Sequence, residues 1–120
     1  RLMTLDQNHH RAGNVRKIYT SIKLLDKEND GRASPIPPVQ FRCLLLFAGV
    51  KELSAYPYDC RIFFDECVKG VDPGEKIDNV PIAFLSPEKI FPYIQVGTRF
   101  SIRDGKIIGN GVITSIDSRI

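Results

Sequence analysis

Apolar side chains recur at every second position along much of the chain, in short runs broken by Gly, Pro and charged residues. That period places alternate side chains on opposite faces of a strand. It is clearest near the C-terminus, where Phe100 and Ile102 alternate with Arg99, Ser101 and Arg103. Asp104-Gly105 follows with turn chemistry, because Gly accepts positive φ and a short Asp side chain bonds its own backbone. A second β-rich run, 106–116, is interrupted only by Gly109-Asn110-Gly111. The stretch predicts a hairpin with a two-residue turn. The glycines mark a bulge or a close approach of another backbone.

The same reading runs upstream. In Val15–Leu25, Ile18, Thr20, Ile22 and Leu24 form one alternating face; Val15, Ile18, Ile22 and Leu25 also fit a helix, but the β-branched content favours a strand. Residues 26–34 read as a solvated turn or hairpin loop, and Pro35, Pro37 and Pro38 suit a sheet edge or a crossover. Val39–Phe47 is the most apolar run: Val39, Phe41, Cys43, Leu45 and Phe47 share one face, and Leu44 and Leu46 lie on the other. Residues 48–58 read as a connection, 60–66 as a strand with Cys60, Ile62 and Phe64 on one face, and 68–76 as a turn. Val80–Leu85 is a further strand. Pro92 limits any helix begun at Ser86-Pro87-Glu88 to about one turn, so 86–97 reads as a loop. Six short strands predict an all-β fold, a six-stranded antiparallel closed β-barrel or a sandwich, with the barrel favoured because closure removes exposed edges.

With 120 residues and 42% hydrophobic content, the chain suffices for one domain with a core. Residues 1–14 read as an extension or linker, and 15–120 as the barrel domain. The formal charge of +3, from 17 basic and 14 acidic side chains, is compatible with RNA or an acidic protein partner. No apolar stretch reaches transmembrane length, so the cytoplasm is the expected location and no membrane or DNA partner is expected.

The residues offer little for catalysis. Cys43, Cys60 and Cys67 lack CxxC spacing and read as buried hydrophobes rather than nucleophiles or metal ligands. His9 and His10 are adjacent and so point to opposite sides of an extended chain, which disfavours shared metal binding. Glu52, Asp59, Asp65 and Glu66 would supply acid–base chemistry only if two of them converged. The expectation is a non-enzyme without a cofactor.

Arg99–Arg103 with Asp104-Gly105, and then Ile108-Gly109-Asn110-Gly111-Val112-Ile113, resemble the RFAIRE-GG…VGAGVV strand pair of the third, C-terminal barrel of the elongation factor Tu family of translation GTPases. Ser21–Leu25 with Gly31-Arg32 resembles that domain's first hairpin. Gln40-Phe41 is similar to its PQF segment, with Val39 in place of Pro, and Val71–Glu75 to its PGD turn. The resemblance spans residues 15–116. The chain has no G-x-x-x-x-G-K-[ST] phosphate loop and no middle barrel, and it differs at 35–38 and 89–93.

The resemblance implies a translation-factor-like closed barrel that contacts tRNA and protein. Carried to this chain, it places RNA or partner contacts at Arg32, Lys89, Arg103, Asp104 and Gly105, through positive charge and turn amides. Surface solubility explains each of those residues taken alone. A second reading is a protein-interaction or immunity-like module that kept the barrel without translation activity, motivated by the apolar face at Leu44, Leu46 and Phe63. A third is a fragment of a larger factor.

Overall fold

The computed structural model describes residues 16–26, 34–67 and 71–117. Six strands are formed: β1 (Ile18–Leu24), β2 (Gln40–Ala48), β3 (Tyr58–Phe63), β4 (Lys76–Phe84), β5 (Arg99–Arg103) and β6 (Ile107–Ile116). They close into an antiparallel barrel in the order β1-β4-β3-β2-β5-β6, with β6 returning to β1. Every strand has two partners, so no long apolar edge is exposed.

Alternation decides which side chains enter the barrel. Ile18, Thr20, Ile22 and Leu24 point inward from β1, Cys43, Leu45 and Phe47 from β2, and Cys60 and Ile62 from β3. Val80, Ile82 and Phe84 of β4, Phe100 and Ile102 of β5, and Ile108 and Ile113 of β6 complete the ring. Phe47 is at its centre, with ring centroids 5.8 Å from Phe84 and 6.2 Å from Phe100. Thr20 is a polar side chain within this ring, and its hydroxyl donates to the Val80 carbonyl at 3.0 Å, which satisfies it. Val39, assigned to the inward face from its spacing, is exposed because β2 begins only after it.

Connections between strands depart from the linear reading in instructive ways. β1 and β2 are not neighbours, so the segment between them is a crossover and not the hairpin expected there. Within it Ile36 exchanges both backbone hydrogen bonds with Val71 at 2.8 Å, and the flanking prolines lose no ladder donors. β3 stops at Phe63, and Phe64–Glu66 form a 3₁₀ turn that still buries Phe64. Residues 86–97 contain two 3₁₀ turns, Pro87–Lys89 and Phe91–Tyr93. Ile90, Phe91 and Ile94 from this segment cap the core, and Arg16 lies 4.1 Å above the Phe91 ring.

β4 begins four residues before the expected Val80, because Asn79 adopts φ 57° and interrupts the alternation. Thr20 pairs with Val80 and Ile22 with Ile77, so Asp78 and Asn79 together oppose Ser21 in a β-bulge. Ser21 closes it by donating to the Asp78 carboxylate at 2.7 Å.

The last hairpin forms as expected, with one correction, to its turn, and with close approach as the role of the two glycines. Its turn has three residues, Asp104, Gly105 and Lys106, with Gly105 at φ 78° and the Asp104 amide donating to the Lys106 carbonyl. Its bulge falls at Ile108, since Arg103 pairs with Ile107 and Ile102 with Gly109. Gly109 and Gly111 instead serve close approach: a Cβ on Gly111 would lie 2.7 Å from the Ser21 carbonyl oxygen, and one on Gly109 2.8 Å from that of Lys23.

Candidate macromolecule-binding face

The outer surface of β3, β2 and β5 gathers the residues most suited to binding. The pairing register lays them out in rows across the strands. In one row Ala83 of β4, Arg61 of β3 and Arg42 of β2 stand side by side. In the next, Asp59 of β3, Leu44 of β2 and Arg103 of β5 do so. Leu46 and Ser101 form the third.

Arg42 and Arg61 are directly opposed. Like charges at such a pair destabilise a sheet, and no carboxylate among the described residues forms an ion pair with either. Arg61 instead donates to the Gln40 side-chain oxygen at 3.4 Å, and Gln40 donates to Asp65 at 3.3 Å. An open groove of about 250 Å³ runs beside the pair, lined also by Asp59, Phe63 and Leu85. A smaller hollow of about 180 Å³ continues it through Asp59 and Leu85 to Tyr56, Tyr58 and Lys89. Leu85 is 71% exposed and Tyr56 59% exposed, the latter with its ring centroid 5.3 Å from that of Tyr58 and tilted by 42° to it. The arrangement offers guanidinium and ammonium donors around an exposed aromatic ring, with aliphatic surface between them.

Two of the residues proposed from sequence therefore come to one side of the barrel. Lys89 ends a 3₁₀ turn and lines the smaller hollow with Asp59, while Arg103 shares a cross-strand row with Asp59. Asp104 and Gly105 form the turn that follows Arg103, at its edge. Arg32, like His9 and His10, lies outside the described residues.

Sequence reasoning did not put Arg42 and Arg61 forward as candidates for this face. Their signal was present, as single basic residues at outward positions of two apolar strands, but their opposition depends on register. Phe63, put forward as part of an exposed apolar face, is only 9% exposed, and the Lys17 ammonium lies over its ring at 4.7 Å. Leu44 and Leu46 are half-buried on the expected outer face.

A larger open cleft of about 620 Å³ lies at one end of the barrel between residues 48–52 and 93–99. Its cations Lys51 and Arg99 are accompanied by Glu52, and most of its remaining wall is exposed loop. Among the described residues no three His, Cys, Asp or Glu side chains gather as metal ligands. Glu66 is engaged by Lys17 at 3.2 Å. No helix among them is long and apolar enough to cross a membrane.

No model of a known protein family matches the chain, and no curated protein sequence matches it.

Proposed function

We propose that this chain is a non-catalytic, macromolecule-binding barrel that docks RNA on the outer face of β3, β2 and β5. The observation that carries this reading is the direct opposition of Arg42 and Arg61, with no carboxylate among the described residues forming an ion pair with either. A phosphate group relieves their repulsion and accepts charge-assisted hydrogen bonds from both guanidinium groups. Exposed Tyr56 beside Lys89 supports RNA in particular, since an unstacked base rests on an aromatic face next to cations. The residue-level resemblance to the third domain of elongation factor Tu supports tRNA as the RNA to try first. Binding by this barrel tested by itself is expected to be weak and strongly salt-dependent.

The test is titration of fluorescent aminoacyl-tRNA with the chain at several salt concentrations. Binding that weakens steeply with salt, and further in Arg103→Ala and in the Arg42→Ala/Arg61→Ala double variant, supports the proposal. Absence of binding at low salt, or variants indistinguishable from the parent, sinks it.

A protein partner is the second reading. Leu85 and Tyr56 favour it, as two large exposed side chains beside the arginines, a composition common at protein interfaces. A native pull-down analysed for both RNA and protein separates the two readings.

A further inference from the structure

Beneath the arginine pair lies a second cross-strand pair of a different chemistry. Cys43 and Cys60 are direct partners in the β2–β3 ladder, and their side chains enter the barrel together. Their sulfurs are 3.6 Å apart although the residues are separated by 17 positions in sequence. Both thiols are free, and both are enclosed, Cys43 at 8% and Cys60 at 6% exposure.

We propose that Cys43 and Cys60 are a site of reversible oxidation, forming a disulfide across β2 and β3 when a peroxide reaches the barrel interior. Geometry carries the inference. Directly paired residues in an antiparallel ladder have Cα atoms roughly 4.5–5.5 Å apart, within the roughly 4.4–6.8 Å span of disulfides. The side chains already converge, so the sulfurs need only close to about 2.05 Å by small torsional changes.

The chemistry balances with hydrogen peroxide as the oxidant. One thiolate attacks a peroxide oxygen, giving a sulfenic acid and hydroxide, which takes up the proton lost by that thiol to become water. The second thiol attacks the sulfenic sulfur, the S–S bond forms, and the hydroxyl leaves with the second proton as another water. Two thiols are oxidised by two electrons in all, and one peroxide is reduced. A small oxidant is required because neither sulfur is open to a bulky disulfide reagent. The neighbouring Cys43 sulfur, followed by burial, holds the Cys60 thiol protonated well above its ordinary range, so attack by the Cys60 thiolate on peroxide is slow at neutral pH and faster in alkali. Cys67 is the internal contrast: it is half-buried, and its thiol contacts the Phe63 carbonyl rather than another sulfur. Bond formation is independent of whether the outer face binds RNA.

The experiment uses the full chain, with a Cys67→Ser variant alongside to remove third-thiol exchange. Folded protein is treated with hydrogen peroxide, quenched with catalase, denatured with an alkylating agent present, and digested with trypsin. The expected product links peptide 43–51 to peptide 52–61, with loss of two hydrogens, and dithiothreitol separates them. Circular dichroism before and after shows an unchanged strand spectrum, and Cys43→Ala and Cys60→Ala each abolish the link. Alkylation of both sulfurs after peroxide treatment overturns the proposal. So does sulfinic or sulfonic acid at either position without the link, or a link in the parent chain that uses Cys67 instead.

Discussion

Phe100 faces Gly111 across β5 and β6, and its ring fills the space that a side chain on Gly111 would occupy. A Cβ built on Gly111 would sit 2.6 Å from Phe100 Cζ and 2.7 Å from the Ser21 carbonyl oxygen. The ring is itself packed against Phe47, and the carbonyl belongs to the β1–β6 ladder, so neither yields cheaply. Gly111→Ala is therefore expected to cost about 1–3 kcal/mol by overpacking. Urea unfolding followed by circular dichroism measures it, and a change below about 0.5 kcal/mol would contradict the close-packed reading.

Phe47 gives the complementary case of lost volume. It is almost completely enclosed, between the Phe84 and Phe100 rings. Phe47→Ala should cost about 3–5 kcal/mol, and Phe47→Leu distinctly less, because the cost follows the cavity left behind. Equal losses for the two variants would show that the centre of the barrel collapses around the hole.

Asn79 reports on backbone strain instead of packing. Its φ of 57° is tolerated by Asn and costs nothing for Gly, while a β-branched residue resists it. Asn79→Gly should leave stability within about 0.5 kcal/mol, and Asn79→Val should lose roughly 1–2 kcal/mol. The same unfolding assay decides between them, and a tolerated Val would mean that the bulge against Ser21 rearranges at little cost.

The Arg42–Arg61 opposition predicts a trade between stability and binding. Replacing one arginine by a β-former, as in Arg42→Thr, removes a like-charge cross-strand pair and should stabilise the barrel by about 0.2–1 kcal/mol at low salt. The same substitution should weaken RNA binding and reduce the salt slope by about 0.7–0.9 for the lost phosphate contact. Loss of stability in Arg42→Thr would show that the arginine stems pack on the sheet more strongly than their charges repel.

Cys60 sets a pH dependence at the alkaline end. In the unfolded chain its thiol ionises near 9.0, whereas in the barrel the Cys43 sulfur and burial raise its pKa well above that value. Above pH 9.0 the unfolded chain gives up a proton that the native state retains, so unfolding becomes easier. The contribution is fully present below pH 9.0 and is lost as pH rises through the raised native value. Stability of Cys60→Ala measured from pH 8 upward under reducing conditions should fall less steeply than that of the parent. Parallel alkaline limbs would rule out this contribution.

Alternation by itself determined the six strands and most of their inward faces, because a period of two is a local property that burial on one side enforces. Ile18 to Leu24 and Phe100 with Ile102 were legible in that way, and Asp104-Gly105 announced the closing turn. Residues whose role depends on a distant partner were not legible. Asn79 hides a strand start behind a positive φ, and Phe63 lies beneath Lys17 from β1's approach to the barrel. Whether β1 meets β2 or β4 is decided by which edges meet when the sheet closes, and in the observed order both edges of every strand are paired. That order and its register place Arg42 opposite Arg61 and Cys43 against Cys60. Neither pair shares a local pattern in the sequence, since each is joined only when the β2–β3 ladder pairs residues 17 or more positions apart.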